Sequence, residues 1–317
     1  MFGVIGLGRM GGNLAMQAVK KGIPVVGYSK GRLNPELKKT GVSIVKSLKE
    51  LKKKLSKPAI IFIYIPAGPM LDTAIAELCK VLKKGDIIVD GGNSYWGDSI
   101  RRAKELRKKG IYLVDLGTSG GITGAVNGAC FMAGGDRKAV SKIEPFLKKL
   151  AVKDGFVYAG PSGSGHFIKL VHNGIEFGML QAIGEGVDLL EHFHHKLDIQ
   201  KVLHCWRNGS VIRSWLVDLM EEQYIKQEGM KKVPAFIEDT GEVNWLVGDA
   251  LRMEVPIPAI STSINQLFAS RDKEKKWAKA IAMMRHGFGG HPFGPDKMIV
   301  KERKEGRVGD IYRGKKG

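Results

Sequence analysis

The chain has 317 residues, 43% of them hydrophobic and 26% charged, with a formal net charge of +19. That balance excludes an extended disordered chain, and no apolar run approaches the ~20 residues that a bilayer-crossing helix needs. The three cysteines, Cys79, Cys130 and Cys205, are odd in number and widely spaced, which speaks against a disulfide framework or a zinc site, so no metal is expected.

The length allows two domains. An apparent strand starts at residue 2 with no basic leader before it, and with reduced cysteines this points to a cytoplasmic protein. Positive charge collects in "KSLKELKKKLSK" (46–57), "RRAKELRKKG" (101–110) and "KERKEGRVGDIYRGKKG" (301–317). Such a surface can serve nucleic acid, anionic membranes or phosphorylated small molecules, or can simply be a solvated lysine-rich face. No helix-turn-helix, zinc-finger or aromatic RNA-binding pattern accompanies it, so neither nucleic acid nor membrane is the expected partner.

The segment "FGVIGLGRMGGNLAMQAVKKG" reads as a short strand, a glycine turn Gly6-Leu7-Gly8-Arg9-Met10-Gly11, then a helix. At a first strand-to-helix turn, Gly6 permits the tight bend, Gly8 a close approach of pyrophosphate, and Gly11 the packing of helix on strand. The free N–H groups of the helix start then face the phosphates. Further strands are predicted at 24–28, 59–65, 86–90 and 111–115, with two more from 128–135 and 155–160. Helices fall between them near 34–40, 46–55, 70–83 and 96–109. This alternation predicts βαβ units and a parallel sheet over residues 1–160.

The second strand ends in "GYSKGRLNPE", with Ser29, Lys30 and Arg32 where an NAD enzyme usually carries an acid for the ribose 2′-hydroxyl. A carboxylate would repel a 2′-phosphate, whereas a hydroxyl and two cations can bind one, so NADP is favoured as cofactor, with NAD as the alternative. Past residue 160 the pattern turns helical, at 164–194, 198–208, 210–226, 242–253, 259–270 and 272–285. The expected class is therefore an α/β Rossmann-type N-terminal domain followed by an all-α C-terminal domain, with a ligand cleft between the two.

Three constellations carry chemistry. Asn93 in "DGGNSYWGD" follows a strand's carboxyl end, the edge that faces the ligand crevice in open α/β sheets, although a turn or helix cap would use the same residue. Ser119, Gly120 and Gly121 in "DLGTSGGITG" follow another, offering a hydroxyl and unobstructed N–H groups that suit a carboxylate. In "GSGHFIKLVHNGIEFG" (163–178), Lys169, His172, Asn173 and Glu176 stand at i, i+3, i+4 and i+7, so one helix face presents an amine, an imidazole, an amide and a carboxylate.

These motifs, in this order, resemble the β-hydroxyacid dehydrogenases. "IKLVHNGIE" and "DGGNS" are closer still to the decarboxylating 6-phosphogluconate dehydrogenases in their short form, a likeness that runs from residue 1 to about 295. The resemblance implies oxidation of 6-phosphogluconate, loss of CO2 and release of ribulose 5-phosphate. Lys169 would be the base and Glu176 the acid, with Asn93, Ser119, Gly120, Gly121, His172 and Asn173 holding substrate and Asn93 also near the coenzyme. "MRHGFGGHPF" is similar to a family segment supplied by the partner subunit, which would place Arg285 and His291 on the substrate phosphate, joined by Arg271. A homodimer or homotetramer with shared active sites is then expected, built on a helical domain of residues 161–285 and a tail of 286–317. Two departures bear on the phosphate: Phe177 stands where the family usually has Tyr, and "EDTGEVNW" (238–245) lacks a lysine that long-form enzymes carry there. An unphosphorylated 3-hydroxy acid dehydrogenase and a basic nucleic-acid-binding protein on a dinucleotide fold are the competing readings.

Overall fold

The strand segments are apolar on both faces, and the fold explains why. In the computed structural model, which describes residues 1–31, 33 and 35–300 apart from the side chains of Pro35 and Lys38, the first part of the chain alternates strand and helix. The order is β1 (Phe2–Ile5), α1 (Arg9–Lys20), β2 (Val25–Tyr28), α2 (Pro35–Lys39), β3 (Ser43–Ile44), α3 (Leu48–Lys54), β4 (Ile60–Ile63), α4 (Pro69–Cys79), β5 (Ile87–Asp90) and α5 (Trp96–Lys108). It continues with β6 (Tyr112–Ser119), α6 (Gly121–Asn127), β7 (Ala129–Gly135), α7 (Arg137–Leu150) and β8 (Ala151–Gly160). The strands form one eight-stranded sheet in the order β3-β2-β1-β4-β5-β6-β7-β8. Phe2, Val4, Ile60, Phe62, Ile87 and Val89 pack into one layer of core, while Ile5, Ile61, Ile63 and Ile88 pack into the other. Successive side chains point to opposite faces and both faces are covered, so the strands read as unbroken apolar runs.

The sheet is not wholly parallel, which corrects the expectation. β7 runs antiparallel to β6, with Ser119 opposite Cys130, while the other neighbours are parallel. The link between them holds only the short α6, and a parallel return needs a dozen or more residues. Three elements escaped the sequence reading. β3 is two residues long, α6 is a short helix that starts in the glycine turn after Ser119, and α7 carries Pro145 inside it, a residue that argues against helix when read locally.

The remaining helices are α8 (Ser164–Glu191), α9 (Ile199–Gly209), α10 (Trp215–Lys226), α11 (Glu242–Arg252), α12 (Pro258–Arg271) and α13 (Lys276–Gly289). The fold is thus a Rossmann-type α/β domain followed by an all-helical one. α10 starts later than the apolar pattern suggested because the Ser214 hydroxyl accepts the Val217 N–H and caps it there. α13 runs further than expected, so Arg285 lies inside a helix and not at a glycine turn.

By packing, the chain divides into two units. One comprises Met1–Ile175 with Gly241–Pro256; the other comprises Glu176–Thr240 and the chain from Ile257. α11 joins the first unit through buried Asp249, whose carboxylate accepts from Tyr95 Oη at 3.0 Å and Trp96 Nε1 at 2.7 Å. The second unit has a small core of Val187, Ile199 and Leu203, flanked by the ion pair of Arg207 with Glu221 at 2.7 Å.

Candidate active site

The glycine turn after β1 is built as the motif requires. Gly6 has φ +87°, and a Cβ there would lie 2.2 Å from the Tyr64 carbonyl oxygen; one on Gly11 would lie 2.1 Å from the Gly6 oxygen. A Cβ on Gly8 would meet nothing within 4 Å, so the backbone is open to a ligand from that side. Gly8 caps α1 without a side-chain bond, and the first turn carries no acid that would compete with an anion. Arg9 is exposed and Met10 half-buried, while Leu7 turns into the core and can offer a ligand only its backbone. The turn sits where the strand order reverses between β1 and β4, the crevice position of doubly wound sheets. These residues fit the pyrophosphate of a dinucleotide.

Beside the turn lies a cavity of about 450 Å³ between the end of β2 and α4, lined by Gly6, Tyr28, Ser29, Lys30, Ile65 and Glu77 among others. Lys30 Nζ stands 3.2 and 3.3 Å from the two carboxylate oxygens of Glu77, and Ser29 Oγ accepts the Gly31 N–H. The third residue expected at this position, Arg32, lies outside the described residues.

Asn93 is exposed on the turn after β5, and its neighbours fix that turn. Buried Asp90 accepts from Ser94 Oγ at 2.7 Å and from the Gly92 N–H at 3.1 Å. Sequence reasoning passed over Asp90 and Ser94, although an Asp with a Ser four residues on, at a strand end, is a recognisable turn signal.

α8 is seated by close backbone packing. A Cβ on Gly165 would be 2.3 Å from the Asp115 carbonyl oxygen and 2.6 Å from that of Met132; one on Gly117 would be 2.7 Å from Lys169 Cβ. Asp115, 1% exposed on β6, accepts the N–H groups of Gly163 at 2.8 Å and His166 at 3.0 Å. A buried carboxylate from another element therefore caps the helix, a partner no local pattern reveals. Ser99 Oγ meets His166 Nδ1 at 2.7 Å and fixes the next turn.

The packing brings four of the expected polar residues together. Lys169, 9% exposed, places Nζ 2.7 Å from Asn173 Oδ1 and 3.3 Å from His172 Nδ1. His172 Nε2 is 3.0 Å from Ser119 Oγ. If Nδ1 accepts from Lys169, Nε2 carries the ring hydrogen and donates to Ser119, so one tautomer satisfies both contacts. Gly120 and Gly121, with φ +109° and +58°, carry the chain away from Ser119 in conformations that suit glycine. Glu176 follows on α8 at the i+7 position from Lys169 and begins the second unit.

Arg271, Arg285 and His291 also belong to the second unit. Arg271 is paired with Asp239 at 3.4 Å and Glu238 at 3.6 Å. Arg285 is exposed on α13, and the His291 carbonyl accepts from His286 Nδ1 at 2.8 Å. Among the described residues, no group of His, Cys, Asp or Glu could hold a metal ion, and no helix is long and apolar enough to cross a membrane.

Residues 1–160 match the model of the NAD-binding domain of 6-phosphogluconate dehydrogenase, and residues 165–285 that of its C-terminal domain. A Bacillus subtilis protein named "Putative 6-phosphogluconate dehydrogenase YqeC" is 40% identical over 290 residues, covering 91% of this chain and 97% of that protein. The NAD(+)-dependent, decarboxylating 6-phosphogluconate dehydrogenase of Haloferax volcanii is 37% identical over 293 residues, with the same coverage. Among solved structures, the 6-phosphogluconate dehydrogenase of Plasmodium falciparum, whose cofactor is NADP+, superposes with a TM-score of 0.78 at 28% identity, over 93% of this chain and 66% of that one. The chain belongs to the 6-phosphogluconate dehydrogenase family, and it is an oxidoreductase with an NAD(P)-binding Rossmann domain.

Proposed function

We propose that the protein catalyses the oxidative decarboxylation of 6-phosphogluconate to ribulose 5-phosphate and CO2, with NADP the preferred electron acceptor over NAD. The observation that carries the reading is the buried Nζ of Lys169, bracketed by Asn173 and His172 beside Ser119. A desolvated amine so held is suited to take the substrate hydroxyl proton, because Asn173 and His172 fix its direction of approach. The bound nicotinamide supplies the hydride acceptor. Lys169, then an ammonium, returns its proton to the carbonyl oxygen as the carbon–carbon bond to the carboxylate breaks and CO2 leaves. Glu176 gives a proton to the carbon of the resulting enediol, which collapses to the ketose. Ser119, Gly120, Gly121 and Asn93 hold the substrate carboxylate and hydroxyls, and Arg271, Arg285 and His291 its phosphate.

In this reading residues 1–160 bind the coenzyme, 161–285 hold substrate and form the subunit contact, and the tail from 286 reaches a second copy in a homodimer or homotetramer. A cytoplasmic site of action fits the three free cysteines. The test is reduction of NADP and of NAD with 6-phosphogluconate and with gluconate, following CO2. Turnover of the phosphorylated acid with CO2 release, lost in Lys169→Met by at least about a thousandfold, is expected. Equal turnover of unphosphorylated 3-hydroxy acids without CO2 would instead make it a simple dehydrogenase.

A further inference from the structure

The cavity between β2 and α4 contains a carboxylate that the coenzyme reading does not use. Its walls are apolar on one side, from Ile65, Pro69 and Met70, and polar at the end of β2, where Ser29 and Lys30 stand. A dinucleotide on the Gly6–Gly11 turn extends its adenosine half toward the end of β2, where the ribose 2′ substituent is read. At that point Lys30 is already ion-paired: Nζ lies within 3.3 Å of both Glu77 oxygens, with side-chain exposures of 68% and 38%. Glu77 reaches across from the last turn of α4, one residue before Leu78, whose side chain is fully buried and anchors that turn. The chain has no acid at the end of β2, yet it delivers one to the same place from another helix.

We propose that Glu77 is a determinant of coenzyme selectivity, acting against NADP by holding Lys30 and by setting a negative charge beside the 2′ position. The inference rests on the coenzyme reading above. A 2′-phosphate that approaches Lys30 competes with Glu77 for its ammonium and comes to lie near that carboxylate. A 2′-hydroxyl carries no charge for Glu77 to repel and can donate to it. An exposed ion pair is weak, so Glu77 lowers NADP affinity without forbidding it. The pair thus works as a counterweight to the cations of the β2 end. It makes the NADP/NAD ratio depend on α4 as well as on the loop that carries Lys30.

The test measures equilibrium binding of NADP, NAD, adenosine 2′,5′-bisphosphate and AMP to the full chain and to Glu77→Gln, Glu77→Ala and Lys30→Ala variants. Glu77→Gln keeps the shape of the side chain and should tighten NADP and the bisphosphate by roughly three- to tenfold. NAD and AMP should stay within about twofold, and the gain should shrink when Lys30→Ala is added. Equal changes for both coenzymes, or an unchanged ratio with both bound, would overturn the role of Glu77 while leaving the coenzyme site in place. Failure of the wild-type chain to bind either coenzyme would overturn the site itself and the proposal with it. Thermal melts without ligand show whether a variant has lost its fold, and Glu77→Ala then gives a second reading of the ratio.

Discussion

At the scale of single residues, the site depends as much on groups that never meet substrate as on those that would. Lys169, His172 and Asn173 could be read from the sequence because helical spacing puts them on one face. Asp115 could not, because its partners are backbone N–H groups 48 and 51 residues away. Removing its carboxylate leaves those groups buried without an acceptor, at a cost of about 1–3 kcal/mol each. Asp115→Ala should therefore lower the melting temperature by several degrees. Because α8 carries Lys169, it should also cut kcat by more than it changes coenzyme affinity. Asp115→Asn, which keeps one acceptor oxygen, should recover part of both. Unchanged melting of the alanine variant would show that the helix start is capped by other means.

At the scale of elements, the alternation of strand and helix was legible because the central strands β1, β4 and β5 are buried along their whole length and helices such as α1 and α7 bury one stripe. The exceptions were those decided by distant contacts. β3 exists only through its pairing with β2, and the reversal of β7 follows from a link too short to cross over. Helix α3 shows how such contacts also set stability. Its Lys52 reaches back to Asp86, whose carboxylate, almost fully buried, also accepts the N–H groups of Ala59 at 2.8 Å and Lys83 at 2.8 Å. Burial works to raise the Asp86 pKa, but the Lys52 hydrogen bond and the two backbone N–H groups outweigh it, so the group lies below its ordinary value of 3.8. A depressed folded value means the stabilisation is complete above the ordinary carboxylate pKa and fades as pH falls through the lowered one. Asp86→Asn should cost about 1–3 kcal/mol at neutral pH, and the gap to wild type should close as urea melts are taken below about pH 4. A gap that stayed constant into acid would mean that Asp86 does not carry the charge that ties α3 to β4.

At the scale of the whole molecule, the distribution of apolar surface is uneven. The Rossmann part buries the large aliphatic side chains of its central strands β1, β4 and β5, and exposes Val152 and Val157 on the edge strand β8. α13 buries none of its residues, and Trp277, Met283, Met284 and Phe288 are 62%, 65%, 61% and 76% exposed. The proposed homo-oligomer would give that apolar surface a use, as an interface between copies. The same helix carries Arg285 and leads to His291, so a partner covering α13 would hold these two residues close to its own chain. The net charge of +19 opposes such association, and the opposition weakens as salt shortens the range of repulsion. Sedimentation should therefore find an oligomer at micromolar concentration, tighter at about 0.3 M salt than at about 0.03 M. Met284→Asp combined with Phe288→Asp should yield a monomer that still binds coenzyme, since the glycine turn lies in the other unit, but that has lost turnover of 6-phosphogluconate. A fully active wild-type monomer would refute the shared site and leave α13 without a role in the reaction.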